Sequence, residues 1–292
     1  MVEELRTRLS LLPPAGLAVI AAMEPEARLV RDCLRPCRKP VVLEAGRLWR
    51  GQVGAHRVVL LRCGMGEERA AAALQWLVAH ERLWGVLSIG FAGGLQPELA
   101  TGDVVLADRI QAWPECAVPN DVVPADTMPP GGVSEGAFVT PNPRLASLAA
   151  IAAQQAGLSR HRGSLLSHNM LVPGTVDKRW LGRYTGALAV DMESYGIGSL
   201  AAAHRLPFVS MRAILDPCDT PLDLPIEGLT TPDGGILPGG AALAVMRQPG
   251  LLKSFWALWR LSRLTQRRLG VWLEHFFTLL GTIPSTEDAQ RP

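Results

Sequence analysis

Residues 188–219 read LAVDMESYGIGSLAAAHRLPFVSMRAILDPCD. Two apolar runs, Ala187–Met192 and Pro207–Ile214, have the length and composition of buried strands. Between them Glu193–His204 is predicted to be a helix. The unit therefore reads strand, helix, strand. Three carboxylates, Asp191, Glu193 and Asp216, stand at the ends of the two runs. An acid beside a buried strand is costly unless it is paired or used. Strand ends in α/β proteins are a usual place for chemistry. Any one of these acids alone reads best as a cap or half of an ion pair. Three in one unit, with further motifs upstream, point to a site.

The same alternation extends toward the N-terminus. Leu17–Ala22 (LAVIAA) reads as a buried strand, and Pro25 with Glu24 and Glu26 marks the start of a helix to about Leu34. Extended segments follow near Arg47–Val53 and Arg57–Cys63. Gly64-Met65-Gly66 turns the chain into an alanine-rich helix, Glu67–His80. Val86–Gly90 is a strand running into Phe91-Ala92-Gly93-Gly94, and Asp103–Ala107 is another. Asn142–Gly157 reads as helix, and Gly163–Val172 as a strand entering a loop at Pro173-Gly174. Strands alternating with helices predict an α/β fold with a parallel or mixed sheet covered on both faces.

Composition sets the bounds. The chain has 292 residues, 48% hydrophobic and 19% charged, as expected of a globular protein with a sizeable core. A net charge of +2 gives no general attraction to nucleic acid. Five scattered cysteines, Cys33, Cys37, Cys63, Cys116 and Cys218, lack the spacing of a zinc site and read as reduced thiols. No metal or organic cofactor is implied. The N-terminus has no long apolar segment of the secretory kind, and no apolar run reaches the roughly 18 residues of a spanning helix. We divide the chain into an extension (1–16), a catalytic domain (17–250) and an amphipathic helix with its tail (251–292). Residues 113–143 and 217–250, rich in proline and glycine, read as long functional loops. In residues 251–280 apolar side chains recur at helical spacing, while Arg260, Arg263 and Arg267 fall on another face.

Five strings in order, AAMEPEA (21–27), RCGMGEERAAAAL (62–74), SIGFAGGLQPELATGDVVLAD (88–108), AVDMES (189–194) and PFVSMRAILD (207–216), carry a resemblance. Over residues 17–219 the chain resembles the nucleoside phosphorylase / methylthioadenosine nucleosidase superfamily. That resemblance implies a three-layer α/β/α sandwich with a mixed, partly closed central sheet. It implies cleavage of the N-glycosidic bond of a nucleoside, with water or phosphate as nucleophile. Asp216 matches the acid that protonates the purine, so a raised pKa is expected. Glu193 matches the glutamate that grips the ribose hydroxyls, and Met192 the methionine beneath the sugar or a core residue. Asp191 is expected to be structural. Arg212 matches an arginine near the nucleophile, or pairs with Glu193 or Glu26. Gly93 lets backbone approach the sugar or nucleophile, and Leu171 and Val172 fall in the base-contacting segment. Glu26 matches a water-orienting glutamate of the nucleosidases, and a carboxylate there would repel phosphate. Phe91 and Leu215 depart from serines in the nucleosidases. Arg28, Arg62 and Arg69 remain candidates for a phosphate site.

The run DMES…LPF…ILDPCD…LP and the arginine-rich C-terminal helix are similar to the hopanoid-associated phosphorylase branch. This implies removal of adenine from adenosylhopane in hopanoid biosynthesis, by a cytoplasmic enzyme peripheral to the inner face of the membrane. Residues 251–280 would then lie at the lipid surface, or pack against a second subunit of a homodimer or larger homo-oligomer. Deleting residues 251–292 is expected to weaken vesicle binding without abolishing cleavage of soluble analogues. Three alternatives stay open: a methylthioadenosine/S-adenosylhomocysteine nucleosidase, a purine nucleoside phosphorylase, and a non-catalytic nucleoside-binding scaffold at the membrane.

Overall fold

A computed structural model describes residues 15–113, 137–221 and 251–283. Most of the extension 1–16, of the stretch 113–143 and of the loop 217–250 lies outside these residues, as does Cys116.

The sheet grows from β1 (Gly16–Ala21), which is parallel to β4 (His56–Arg62) on one side and to β5 (Leu83–Gly94) on the other. Beyond β4 come β3 (Gly46–Val53) and β2 (Val41–Leu43), both antiparallel to their neighbours. On the other flank β5 runs parallel to β10 (Phe208–Asp216), and β10 is antiparallel to β6 (Val104–Ala112). β6 is parallel to β8 (Arg160–Ser167), and β8 to β9 (Ala189–Asp191). β9 returns to the end of β5 at Gly93 and Gly94. Five strands thus close a ring while the rest stay open, a mixed and partly closed sheet. The two-residue β7 (Phe138–Val139) adds to β6.

Alternation along β1 creates the three layers. Leu17, Val19 and Ala21 face one core, and Ala18 and Ile20 face the other, all essentially sealed. The first core is covered by α1 (Glu24–Cys33), α3 (Pro143–Gln155) and α6 (Leu251–Thr282), the second by α2 (Glu67–His80) and α5 (Ser194–Ala203). A strand covered on both faces must be apolar throughout, which is why β1 shows no polar alternation. Local signals set the helix starts. Asn142 caps α3 by accepting from the amides of Arg144 and Leu145 at 3.0 and 3.2 Å.

Two features depart from the sequence reading. A helix, α4 (Thr175–Thr185), follows Pro173-Gly174, where only a loop was expected. It ends on Gly186 in the left-handed conformation, φ 68°. Gly182 lets it press against the chain, since a Cβ there would meet the Leu95 carbonyl at 2.3 Å. The C-terminal helix also differs from an appendage. Leu269, Trp272, Leu273, Phe276, Phe277 and Leu280 are 0–2% exposed within the first core. The Trp272 indole donates to the Ala149 carbonyl of α3 at 3.0 Å. Removing this helix would strip one wall of the core.

Candidate active site

β5 pairs with β1 as far as Ile89, then with β9 from Gly93. At this split the strand ends of β1, β5, β9 and β10 surround a hollow of about 100 Å³ that opens to solvent. Ligands in α/β sheets favour this position, outside the carboxyl ends of strands. Glu26, Phe91, Gly93, Leu171, Val172, Met192, Glu193 and Asp216 all line it. Of the residues expected at the site, only Arg212 is absent from the lining.

Glu26 sits in the first turn of α1 and is 1% exposed. Its Oε2 accepts from the Met23 amide at 2.8 Å and closes the helix start. Its Oε1 accepts from the Phe91 amide at 3.1 Å, bridging the split in the sheet. Burial pushes its pKa up, against these hydrogen bonds and the field of Arg212. Glu193 precedes α5 and accepts from the Gly66 amide at 2.9 Å. Burial first, then the charge of Asp191, raises its pKa. Asp216 ends β10, 4% exposed, and burial lifts its pKa from 3.8 to about 6 although Lys178 opposes the shift.

Arg212 lies opposite Gly90 in register. Its guanidinium crosses β5 over that glycine, where a Cβ would stand 3.6 Å from Cζ and 3.0 Å from Glu26 Oε1. It donates to Ser88 Oγ at 2.9 Å on the way and reaches Asp191 Oδ2 with Nε and Nη2, both at 2.7 Å. Glu193 is 4.0 Å away, at the limit of an ion pair. The main partner of Arg212 is thus Asp191, not Glu193 or Glu26. Asp191 in turn accepts from Ser167 Oγ at 2.6 Å and from the Ser194 amide at 3.1 Å. This network fixes β9 to β8, β10 and the start of α5 from behind the hollow.

Lys178, which the sequence reading did not single out, is fully buried on α4 and forms an ion pair with Asp216 Oδ2. The signal was there: proline-glycine followed by Thr175 and Asp177 is a helix start, and a helix at 175 turns position 178 inward. Asp191, Glu26, Glu193 and Asp216 put four carboxyls around the hollow, and no lysine or arginine is among its described lining residues. Among the described residues no group of histidine, cysteine and acid side chains is arranged to hold a metal ion.

A model of the phosphorylase superfamily matches residues 17–231. The chain belongs to that superfamily. Among solved structures, a Neisseria meningitidis 5′-methylthioadenosine/S-adenosylhomocysteine nucleosidase in complex with methylthio-immucillin-A superposes with a TM-score of 0.65. It is 22% identical, over 89% of this chain and 97% of the other. The corresponding Campylobacter jejuni nucleosidase gives 0.67 at 14% identity, over 92% and 100%. The futalosine hydrolase of Helicobacter pylori gives 0.59 at 20%, over 70% and 86%. These likenesses show that the chain shares the fold of these structures, with a mixed, partly closed sheet.

Proposed function

We propose that this member of the superfamily hydrolyses the N-glycosidic bond of a 5′-substituted adenosine and releases adenine. One observation carries the reading: Glu26, Glu193 and Asp216, three buried acids with raised pKa values, line one hollow. Asp216 in its neutral form gives its proton to the departing base, so the glycosidic electron pair leaves on a neutral adenine. Glu193 keeps the Gly66 amide on one oxygen and offers its remaining lone pairs to the ribose hydroxyls, next to the developing positive charge. Glu26 orients water toward the anomeric carbon and takes its proton as the C–O bond forms.

Water fits this lining better than phosphate. A phosphate dianion would face four carboxyls and no cation among the described lining residues. Arg212 is spent on Asp191, and Arg62 on Glu24 at 2.9 Å. Arg28 is exposed beside Asp32.

For the 5′ group we propose a lipid, as in adenosylhopane. Met170 and Leu171 are 44% and 43% exposed at the rim, and most of the lining is apolar. α6 supports the same reading through its direction. Thr265 donates to the Ile214 carbonyl near the end of β10, whereas Gly281 touches Gly54, in the turn before β4 starts. The helix therefore runs down from the site's end of the sheet, and residues 251–264 project on that side. There Trp256 and Trp259 are 58% and 57% exposed, with Arg260 and Arg263 stacked over them at 4.8 and 5.4 Å. Aromatic rings beside arginines suit a headgroup zone. No described helix is long and apolar enough to cross a membrane. The second reading, a methylthioadenosine/S-adenosylhomocysteine nucleosidase, is favoured by what the similar structures are named for.

Adenine release from vesicle-borne adenosyl-lipid and from methylthioadenosine, each with and without phosphate, tests both readings. Release from the lipid without phosphate is expected, with Asp216→Asn at least roughly a hundredfold slower. Release from the small nucleoside alone removes the lipid, a phosphate requirement removes water, and silence on both substrates removes the reaction.

A further inference from the structure

A lysine sealed from solvent is expensive, and Lys178 is 0% exposed. Besides its ion pair with Asp216, its ammonium donates to the Thr220 carbonyl at 2.9 Å and faces the Pro217 carbonyl at 3.5 Å. Neutral donors could satisfy two carbonyls. A full positive charge is needed only where a negative one must form.

We propose that Lys178 is a positioning residue for the acid Asp216, holding the carboxyl by Oδ2 and stabilising the carboxylate that remains once the proton has gone to the base. This inference rests on the hydrolysis proposed above. In the step, the O–H bond of Asp216 breaks as the N–H bond of the base forms, and the glycosidic pair moves to the base. Lys178 keeps its three protons throughout. Its charge makes Asp216 a stronger acid than burial alone would allow, which lowers the barrier to proton donation.

Among the described residues, the other charges around Asp216 leave no second candidate. Glu26 from α1, Glu193 before α5 and Asp191 on β9 are all acids across the hollow. Arg212, on β10 itself, is held by Asp191. Arg179 pairs outward with Asp219 at 2.7 Å. From α6, Thr265 donates to the Ile214 carbonyl, and the stem of Arg268 packs on Gly102 beside it. Lys178 also ties the segment after β10 to α4, so the acid and the loop that follows it share one anchor.

The test is the pH profile of adenine release in Lys178→Met. Turnover at the plateau is expected to fall roughly tenfold or more with KM changed less than about threefold. The alkaline limb of kcat is expected to move up by about one pH unit or more, because the unpaired acid holds its proton longer. Lys178→Arg is expected to return the limb to its original place. An unmoved limb in Lys178→Met overturns the proposal. A measurement on the unaltered protein covers the case in which Lys178→Met does not fold. The infrared carboxyl band that Asp216→Asn lacks is expected to titrate away near pH 6. Persistence of that band above about pH 8, as for a buried acid with no cation beside it, also overturns the proposal. If no adenosine derivative releases adenine, the hydrolysis reading falls, while the infrared titration still decides the pairing.

Discussion

Arg212 carries a charge with 1% exposure, and Asp191 answers it with one oxygen shared by two guanidinium nitrogens. Removing one member of such a pair leaves the other buried and unmatched. Asp191→Ala is expected to cost about 3–5 kcal/mol, read as a lower urea midpoint. A cost below about 1 kcal/mol would show that the network is not what fixes β9 to β10. The sequence pointed to Asp191 as structural and to Arg212 as near the chemistry or paired with Glu26 or Glu193. Its real partner could not be read, because the contact crosses β5 over Gly90, and neither the glycine's role as a corridor nor the neighbouring Ser88 has a local signature.

At the level of elements, α6 divides into two halves with different physics. Trp272 fills the core with 0% exposure, stacked on Phe276 at 4.8 Å. Trp256 and Trp259 stand mostly in solvent. Trp272→Ala is expected to destabilise by about 3–5 kcal/mol. The double substitution Trp256→Ala with Trp259→Ala is expected to stay within about 0.5 kcal/mol per site in denaturant while weakening sedimentation with anionic vesicles several-fold. Unchanged sedimentation would remove the lipid-surface role of that half. The apolar period of this helix was plain in the sequence, but its covering was not: a stripe of tryptophan and leucine looks alike whether it meets α1, α3 and β10 or a lipid surface. α4 escaped notice for the opposite reason. TVDKRWLGRYT holds three basic residues and an internal glycine, so its inward face is carried by Lys178 and Leu181 rather than by an apolar stripe.

For the whole molecule, the buried acids set a direction for stability against pH. The folded pKa of Asp216 lies above its ordinary value, at about 6 against 3.8, and those of Glu26 and Glu193 are raised too. Between the two values the folded chain binds more protons than the unfolded one. The contribution of Asp216 is then complete below about pH 4 and lost as pH rises through 6, worth about 3 kcal/mol in all. Unfolding free energies measured from pH 4 to 8 are expected to fall more steeply with pH for the unaltered protein than for Asp216→Asn. Equal slopes would mean that Asp216 is not held near 6. The sequence by itself determined the α/β alternation, the positions of most strands and the acids at their ends, because apolar period and turn chemistry are local and written along the chain. Tertiary structure alone decided that β5 splits between β1 and β9 to open the hollow, that Arg212 turns to Asp191, that Lys178 meets Asp216, and that half of the last helix is core. Each of these joins residues far apart in the chain, and which distant groups meet is settled by the closure of the sheet and the packing of its layers.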